Sequence, residues 1–308
     1  MVIVYSATKG LAAMTLALAN SRGWLDHEER VSKYWPEFAQ NAKGDITVRQ
    51  LLAHQAGLFA FDEPVERSVV ADLDRLAPVL ARKKPAWEPG TRQAYHAITL
   101  GYYESELLRR VDPQRRSLGQ FFQDEIATPL ALDFYIRLPE TIPDSRLATI
   151  SRPGLMARLT GFPLRFTLAV LNRRSNIVRA LEGSDFPHDA QRIYARNLEV
   201  PSGGGVGTAR AMARAYGVFA SGGRELSLRP ETLQALMAPP SAPTRGYYDE
   251  WSFGNEGSFG SPGAGGSLGF ADPKAGIGYA YVTSQMGTAL TGDPRDVALR
   301  NAVHSITG

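Results

Sequence analysis

A serine and a lysine three residues apart stand near the start of the chain, in the segment VIVYSATKGLAAMTLALANSRG at residues 2–23. Residues three apart share one face of a helix, so a helix that begins at Ser6 brings the Lys9 amine close to the Ser6 hydroxyl. A partly desolvated lysine can be neutral often enough to take a hydroxyl proton, and the free N–H groups of a helix start can hold a developing oxyanion. The pair is therefore a candidate nucleophile with its proton acceptor.

A secretory signal is a second interpretation of this segment. The apolar run 10–19 has a suitable length, and Ala17-Leu18-Ala19 has the form of a cleavage site. However, residues 2–5 precede the first lysine and are β-branched or aromatic, which is typical of the end of a strand rather than of a positive n-region. The sequence therefore disfavours a secretory signal, and we expect a cytoplasmic protein.

A plain buried helix is the third interpretation. Ser6 is a good N-cap, and Asn20-Ser21-Arg22-Gly23 has the polar, glycine-terminated form of a helix C-terminus. Residues 11–19 are apolar apart from Thr15, which predicts burial on every side. A lone S-x-x-K occurs by chance in many chains, so a catalytic interpretation needs partners elsewhere.

Two later segments supply such partners. The first, ITVRQLLAHQAGL at 46–58, is amphipathic and closes in a turn at Ala56-Gly57; the second is PAWEPGTRQAYHAITLGYYESELLRRV at 85–111. Glu88-Pro89-Gly90 predicts a turn, and a helix is predicted from about residue 97 through 110. Tyr95 is thereby placed at a loop-to-helix junction, where its side chain can point into a cleft.

Three motifs now stand in order along the chain: Ser6-x-x-Lys9, Leu51-Leu52-x-His54-x-x-Gly57-Leu58, and Pro89-Gly90 followed by Tyr95. Together they resemble the serine β-lactamase-related superfamily, and most closely its class C-like branch, which includes family VIII carboxylesterases and D-alanyl-D-alanine peptidases. Segments 117–140, 205–223 and 263–282 are similar to it as well. The resemblance covers most of the chain.

The resemblance implies an α+β fold of the β-lactamase/transpeptidase type. An antiparallel sheet flanked by helices and a mostly helical region enclose the active site. For this chain we expect one domain over 1–308, with the sheet part at approximately 1–23 and 200–308 and the helical region at approximately 24–199. Strand-like segments indeed come late, at 251–254, 266–271 and 276–286, and a C-terminal helix is expected over 293–308.

The mechanism implied by the resemblance is acyl transfer. Ser6 attacks an ester or amide carbonyl, and Lys9 and Tyr95 share the proton as a coupled pair in which the base is not assigned. The backbone N–H of Ser6 and a second one at the strand edge, near Ser267, are expected to form the oxyanion hole.

Substrate contacts are expected from His96, which follows the tyrosine, and from Gly265 and Gly266 on the strand edge. His54 is expected to fix a loop by hydrogen bonding rather than to act in catalysis. No cofactor and no metal are expected, because the five histidines lack paired spacing.

The third motif of the superfamily carries a lysine or histidine, then a small residue and a glycine. Here that cation falls on Ser261 or Ala264, depending on the alignment of the glycines, and neither is charged. Because the cation pairs with a substrate carboxylate, its loss favours a neutral ester over a lactam or a peptide. We therefore expect a carboxylesterase-like serine hydrolase; a β-lactamase or a D-alanyl-D-alanine peptidase of the same fold is the alternative.

The position of Ser6 motivates an alternative from another class. In relatives a helix and two strands precede the nucleophile, so three origins are considered: a misplaced start, a shortened chain, or a true loss of those strands. A true loss would uncover strand edges and favour association into oligomers. The hypothesis that follows is a non-catalytic β-lactamase-like binding protein.

Composition excludes several kinds of partner and is compatible with the small-molecule ester or amide substrate that the resemblance implies. The chain has 308 residues, a net charge of +3 and no cysteine, which excludes disulfides and thiolate chemistry. No basic stripe suggests nucleic acid, and no apolar run approaches the roughly 20 residues needed for stable membrane insertion. The glycine-rich stretch 254–269 lacks the Gly-Lys-[Ser/Thr] ending of a phosphate-binding loop. Residues 155–178 are interpreted as a lid over the cleft, or alternatively as a membrane-surface helix.

Overall fold

The computed structural model describes residues 1–154, 171–172, 175–181, 194, 196–239, 242, 256–289 and 292–307. Its helices are α1 (Thr8–Ser21), α2 (Val31–Tyr34), α3 (Val48–Leu52), α4 (Arg67–Val70), α5 (Leu73–Arg82), α6 (Thr99–Val111), α7 (Leu118–Phe122), α8 (Asn176–Leu181), α9 (Ala209–Ala220), α10 (Pro230–Met237) and α11 (Pro294–Thr307). Its strands are β1 (Val2–Ile3), β2 (Phe134–Tyr135), β3 (Val206–Gly207), β4 (Phe259–Pro262), β5 (Leu268–Asp272) and β6 (Ile277–Tyr281).

The larger sheet that the described residues form is antiparallel, in the order β4-β5-β6, with Ser261 opposite Gly269 and Leu268 opposite Tyr281. Side chains alternate between its faces, as strand geometry requires. On one face α9 lies so close that a Cβ on Gly278 would come 2.0 Å from the Gly217 nitrogen. On the other face Phe270 stacks on His304 of α11. The sheet is therefore covered by helices on both sides.

A smaller antiparallel sheet, in the order β1-β3-β2, anchors the start of the chain. Val2 and Phe134 both lie opposite Gly207, one from each side. A Cβ on Gly207 would come 2.3 Å from the Phe134 ring, so glycine permits this close crossing. The strand-like character of the first residues is thus confirmed over two residues.

Helix α1 runs through the centre of the hydrophobic core. It packs against α6, α7 and α10 and against β4. Its residues from Leu11 to Ala19 are buried apart from Ala13, as the apolar composition predicts. The helix ends at Arg22, after which Gly23 takes a positive φ of 75° and its N–H donates to Asn20 O, so the predicted C-terminus is confirmed.

The start of this helix differs from the prediction. Ser6 lies in a 3-10 turn, Tyr5–Ala7, and α1 begins only at Thr8, so Ser6 is not its N-cap. The reason is the backbone of Tyr5, whose φ of 48° ends the strand abruptly and starts the tighter turn. Consequently the Ser6 hydroxyl caps no N–H of the helix.

The other predicted elements agree with the structure within a few residues. Helix α6 occupies the predicted stretch from 97 to 110, β5 and β6 occupy 266–271 and the first half of 276–286, and α11 is the expected C-terminal helix. The mixture of helices and antiparallel sheets confirms the α+β class. The segment 251–254 and most of 155–178 lie outside the described residues.

Candidate active site

Three contacts fix the turn that carries Ser6. The Val4 N–H donates to Gly205 O over 2.9 Å, and the Gly205 N–H donates to Thr8 Oγ1 over 2.9 Å, so β3 holds both ends of the turn. From the other side the Ser261 hydroxyl of β4 donates to Ser6 O over 2.9 Å. The position of Ser6 is therefore set by two separate sheets.

Lys9 lies one helical turn further on and is buried, with 6% of its surface exposed. Its Nζ donates to Ala97 O and to Ser202 O, each over 2.7 Å. The same nitrogen lies 4.7 Å from the centre of the Tyr95 ring. Two backbone carbonyls therefore hold the amine beside the tyrosine, and they occupy two of the three positions that an ammonium group can donate from.

Tyr95 stands in the loop before α6 and is 41% exposed, which is unusual for a large aromatic side chain in this molecule. One side of its ring faces Lys9, and the ring of His54 lies 5.1 Å away, centre to centre. The structure thus places Tyr95 against the Lys9 amine, one turn along the chain from Ser6.

His54 has the role predicted for it. Its carbonyl accepts from the Ala94 N–H and its Nδ1 accepts from the His96 N–H, each over 3.1 Å. Its backbone has a φ of 61°, and burial lowers its pKa well below the usual value, with the charges of His96 and Lys9 adding to the effect. His54 therefore ties the tyrosine loop to the end of α3.

The predicted substrate contact at His96 is wrong. The side chain is 0% exposed, its Nε2 accepts from the Leu58 N–H over 3.0 Å, and its Nδ1 lies 2.6 Å from Ala94 O. Burial lowers the pKa of His96 to about 4, although the contact with Ala94 O opposes this. In this loop the Tyr95 side chain is exposed, whereas the next side chain, that of His96, points into the interior.

The strand edge near Ser6 also differs from the prediction. Because the sheet order is β4-β5-β6, β4 lies between Ser6 and β5, and Ser267 is buried at the start of β5. A Cβ on Gly265 would meet Met286, and one on Gly266 would meet Asp293, rather than any atom of the Ser6 turn. This arrangement does not support the roles expected for Ser267, Gly265 and Gly266, since glycine spacing alone does not say which strand lies next to Ser6.

Gly263, at the end of β4, approaches the Ser6 turn instead. A Cβ there would lie 2.1 Å from Val4 O and 3.0 Å from the Ala7 nitrogen. Gly263 begins a β-turn in which the Gly266 N–H donates to Gly263 O and Gly265 takes a φ of 86°, as a type II turn requires. The second residue of such a turn, the exposed Ala264, does not use its N–H within the turn. Sequence analysis missed this residue as a candidate donor.

Two further residues at the site were missed. Ser202 is fully buried, and besides holding Lys9 with its carbonyl it accepts from the Gly101 N–H through its hydroxyl, over 2.6 Å. Glu104 lies one turn after Gly101 on α6 and is 2% exposed, and its Oε2 has no hydrogen-bond partner. Burial raises the pKa of Glu104 to about 7, against the opposing charge of Lys9. Only the glutamate in the apolar pattern of α6 hints at these roles in the sequence.

Within the described ranges, no three histidine or acidic side chains come together as metal ligands. Among the helices of those ranges, none has the length and apolar character of a transmembrane segment.

Comparison with known proteins identifies a family and several relatives. The family model named Beta-lactamase matches residues 1–304. Esterase/beta-lactamase LipL of Mycobacterium tuberculosis (strain ATCC 25618 / H37Rv) is 32% identical over 229 residues, which are 72% of this chain and 51% of that protein. A beta-lactamase of Escherichia coli (strain K12) is 30% identical over 122 residues, 39% of this chain and 31% of that one. The chain thus spans about half the length of the first of these relatives, and less of the second.

Solved structures extend the likeness to nearly the whole chain. A family VIII carboxylesterase superposes with a TM-score of 0.82 at 33% identity, over 98% of this chain and 82% of that one. A penicillin-binding protein homologue from Caulobacter crescentus superposes with a TM-score of 0.81 at 33% identity, over 99% of this chain and 83% of that one. EstA from Arthrobacter nitroguajacolicus Rue61a superposes with a TM-score of 0.80 at 28% identity, over 99% of this chain and 85% of that one.

The chain belongs to the beta-lactamase family and has its β-lactamase/transpeptidase-like fold.

Proposed function

We propose that this protein is a serine hydrolase that cleaves carboxylic esters through an acyl-enzyme on Ser6. The observation that carries the proposal is the environment of Lys9. This buried amine stands in the first turn of α1, directly after the turn that carries Ser6, and two carbonyls hold it next to Tyr95. Membership of a family whose matched members are named as esterases and β-lactamases supports it.

The hydrogen bonds of Lys9 suit a proton acceptor. A neutral amine has two N–H groups and one lone pair, so neutral Lys9 still satisfies both Ala97 O and Ser202 O. Its lone pair is then free for the proton that leaves Ser6, and taking up that proton breaks neither bond. Tyr95 lies against the same nitrogen and shares the proton, so the two groups act as a coupled pair.

The chemical steps balance with these groups. Ser6 Oγ bonds to the ester carbonyl carbon while its proton passes to the Lys9–Tyr95 pair, and the pair then returns a proton to the departing alcohol. Water, activated by the same pair, attacks the acyl-enzyme and releases the acid. The Ser6 N–H and the Ala264 N–H are the donors proposed for the carbonyl oxygen, with Ala264 replacing Ser267.

Ester specificity is inferred from the third motif. Ser261 of β4 occupies the position next to Ser6, and its hydroxyl is used to bind Ser6 O. No cation stands at that position to bind the carboxylate of a β-lactam or of a peptide. A β-lactamase or D-alanyl-D-alanine peptidase is therefore the second candidate, and the names of the matched relatives support the β-lactamase of these two.

Labelling with a fluorophosphonate, followed by peptide mass spectrometry, tests the nucleophile. We expect an adduct on the peptide that contains Ser6, lost in Ser6→Ala and retained in Ser221→Ala, a matched control on the surface. Folded protein that takes up no adduct would refute the hydrolase proposal and favour a non-catalytic binding protein.

Hydrolysis of p-nitrophenyl acetate and butyrate with no turnover of nitrocefin is expected; the reverse preference would select the β-lactamase candidate.

A further inference from the structure

The loop that carries Tyr95 has no regular secondary structure, yet it is held from both sides. The residue before the tyrosine, Ala94, donates its N–H to the carbonyl of His54, and the residue after it, His96, donates its N–H to the Nδ1 of His54. The His54 ring also lies 5.1 Å from the Tyr95 ring, centre to centre. One side chain and its own backbone therefore fix the tyrosine at three points.

His96 completes the arrangement from the interior. Its Nε2 accepts from the Leu58 N–H, and its Nδ1 lies 2.6 Å from Ala94 O. The His54 and His96 rings lie 5.3 Å apart, centre to centre. The buried histidine thus joins the tyrosine loop to the segment that follows His54.

The donors on the backbone decide which ring nitrogens carry protons. A backbone N–H faces Nε2 of His96, so that nitrogen is unprotonated and Nδ1 holds the proton that it donates to Ala94 O. A backbone N–H also faces Nδ1 of His54, so that nitrogen is unprotonated and the proton sits on Nε2. Both rings are neutral, in opposite tautomers.

We propose that His54 and His96 form a two-histidine clamp that positions Tyr95 for the proton transfer, and that acid opens this clamp. The proposal rests on the proposed function, because it assigns work to Tyr95 in that reaction. His54 and His96 are positioning residues that act through the tyrosine and do not themselves contact the substrate.

Acid opens the clamp because each accepting nitrogen faces a donor. A proton added to His54 Nδ1 or to His96 Nε2 places two donors against each other and breaks the bond. The charged or titratable groups that face the two rings are Lys9 of α1, Tyr95 of the loop, and each other. Burial and the Lys9 charge lower both pKa values, that of His96 to about 4, so the clamp stays closed at neutral pH.

Two substitutions at His54 distinguish loss of the clamp from a general loss of stability. Asparagine tolerates the positive φ of 61° and places its amide oxygen near the position of Nδ1, so His54→Asn keeps the acceptor. Glycine also suits that backbone but has no acceptor, so His54→Gly removes the clamp while relieving the backbone. We expect the rate of fluorophosphonate labelling to fall about 10-fold or more in His54→Gly and less than about threefold in His54→Asn. Equal rates in the two variants would overturn the proposal.

The tautomers give a readout that does not depend on activity. In ¹⁵N-labelled wild-type protein at pH 7 we expect His96 to be protonated on Nδ1 and His54 on Nε2, with neither ring titrating near its ordinary pKa of 6.5. Signals are assigned by comparison with His54→Asn and with His96→Gln. Other tautomers, or titration near pH 6.5, would refute the clamp even if labelling is normal. If the tautomers are as expected but Ser6 is not labelled, the proposed function is refuted, and with it the role of Tyr95 in proton transfer.

Discussion

Two buried lysines in this molecule have similar surroundings but differ in their hydrogen bonds. Lys9 and Lys43 are exposed by 6% and 0%. Each is bound by backbone carbonyls and lies against an aromatic ring, 4.7 Å from the centre of Tyr95 and 5.3 Å from the centre of Phe38. The difference lies in the number of carbonyls: Lys9 has two, whereas Lys43 has three, from Gln40, Ala81 and Lys83.

An ammonium group has three protons, and Lys43 donates all of them. Burial, with a further effect from the charge of Lys83, lowers the pKa of Lys43 to about 8, yet losing a proton would leave one carbonyl without its donor. Lys43 therefore joins the end of α5 to the loop after α2 as a structural cation. Burial alone therefore does not distinguish this structural lysine from the catalytic lysine that we propose; the third donor position on the Lys9 nitrogen, which no carbonyl uses, does.

The largest expected effect is that of Lys9→Met. Methionine keeps the volume of the side chain but removes the proton acceptor, so the rate of labelling at Ser6 should fall by about 10³-fold or more. The measurement is the rate of fluorophosphonate labelling of folded protein, checked by circular dichroism. A rate within tenfold of the wild type would show that Tyr95 works without the lysine.

Lys43→Met should affect stability rather than labelling. Three buried carbonyls lose their donor, and we expect the free energy of unfolding to fall by about 3–5 kcal/mol. Urea unfolding followed by fluorescence measures this loss, and labelling at low temperature tests whether folded molecules keep their rate within a few-fold. A fall of less than about 1 kcal/mol would mean that the two sites do not differ as the hydrogen bonds indicate.

Glu104 is a further difference between the two lysines. It interacts electrostatically with Lys9, whereas Lys43 has no such interaction with it. Burial raises the folded-state pKa of Glu104 to about 7, above the ordinary 4.5, so the unfolded chain loses its proton first. Stability is therefore lost as the pH rises from about 4.5 to 7, and Glu104→Gln should remove that loss. Above pH 7 the variant should be more stable than the wild type by on the order of 2–3 kcal/mol.

The matched control on the same helix is Glu106→Gln. Glu106 is equally buried but pairs with Arg109 over 2.8 Å and with Arg110 over 2.7 Å, so its replacement should lower stability. Urea unfolding of both variants from pH 4.5 to 8 provides the test. If Glu104→Gln shows the same pH dependence as the wild type, the raised pKa is wrong.

The smallest effect is expected at an exposed lysine. Lys33 forms its ion pair with Glu29 at the surface, where water competes for both charges. Lys33→Met should leave the urea midpoint and the labelling rate unchanged within error. A clear loss of stability in Lys33→Met would mean that removal of any lysine destabilises the fold. The loss in Lys43→Met could then not be attributed to its three carbonyls.

The sequence by itself determined the elements whose signals are local. The apolar stretch after Lys9 predicts α1 and its burial, and Gly23 predicts its end. The three-residue spacing of Ser6 and Lys9 predicts that both lie on one side of the helix start. The two candidate positions for the third-motif cation, Ser261 and Ala264, are both uncharged. Thr47 and Ser117 precede Gln50 and Gln120 by three residues, and both pairs form capping boxes in the structure. Such signals act over a few residues, so pattern and propensity suffice to find them.

Only the tertiary structure decided what surrounds the reacting groups. The carbonyls that hold Lys9 belong to Ala97 and Ser202, 88 and 193 residues away along the chain. The burial of His96 and the placing of β4 rather than β5 beside Ser6 likewise follow from how distant segments pack. A periodic pattern shows that a face is buried but not what covers it, because that choice depends on the shape and hydrogen bonds of the whole core.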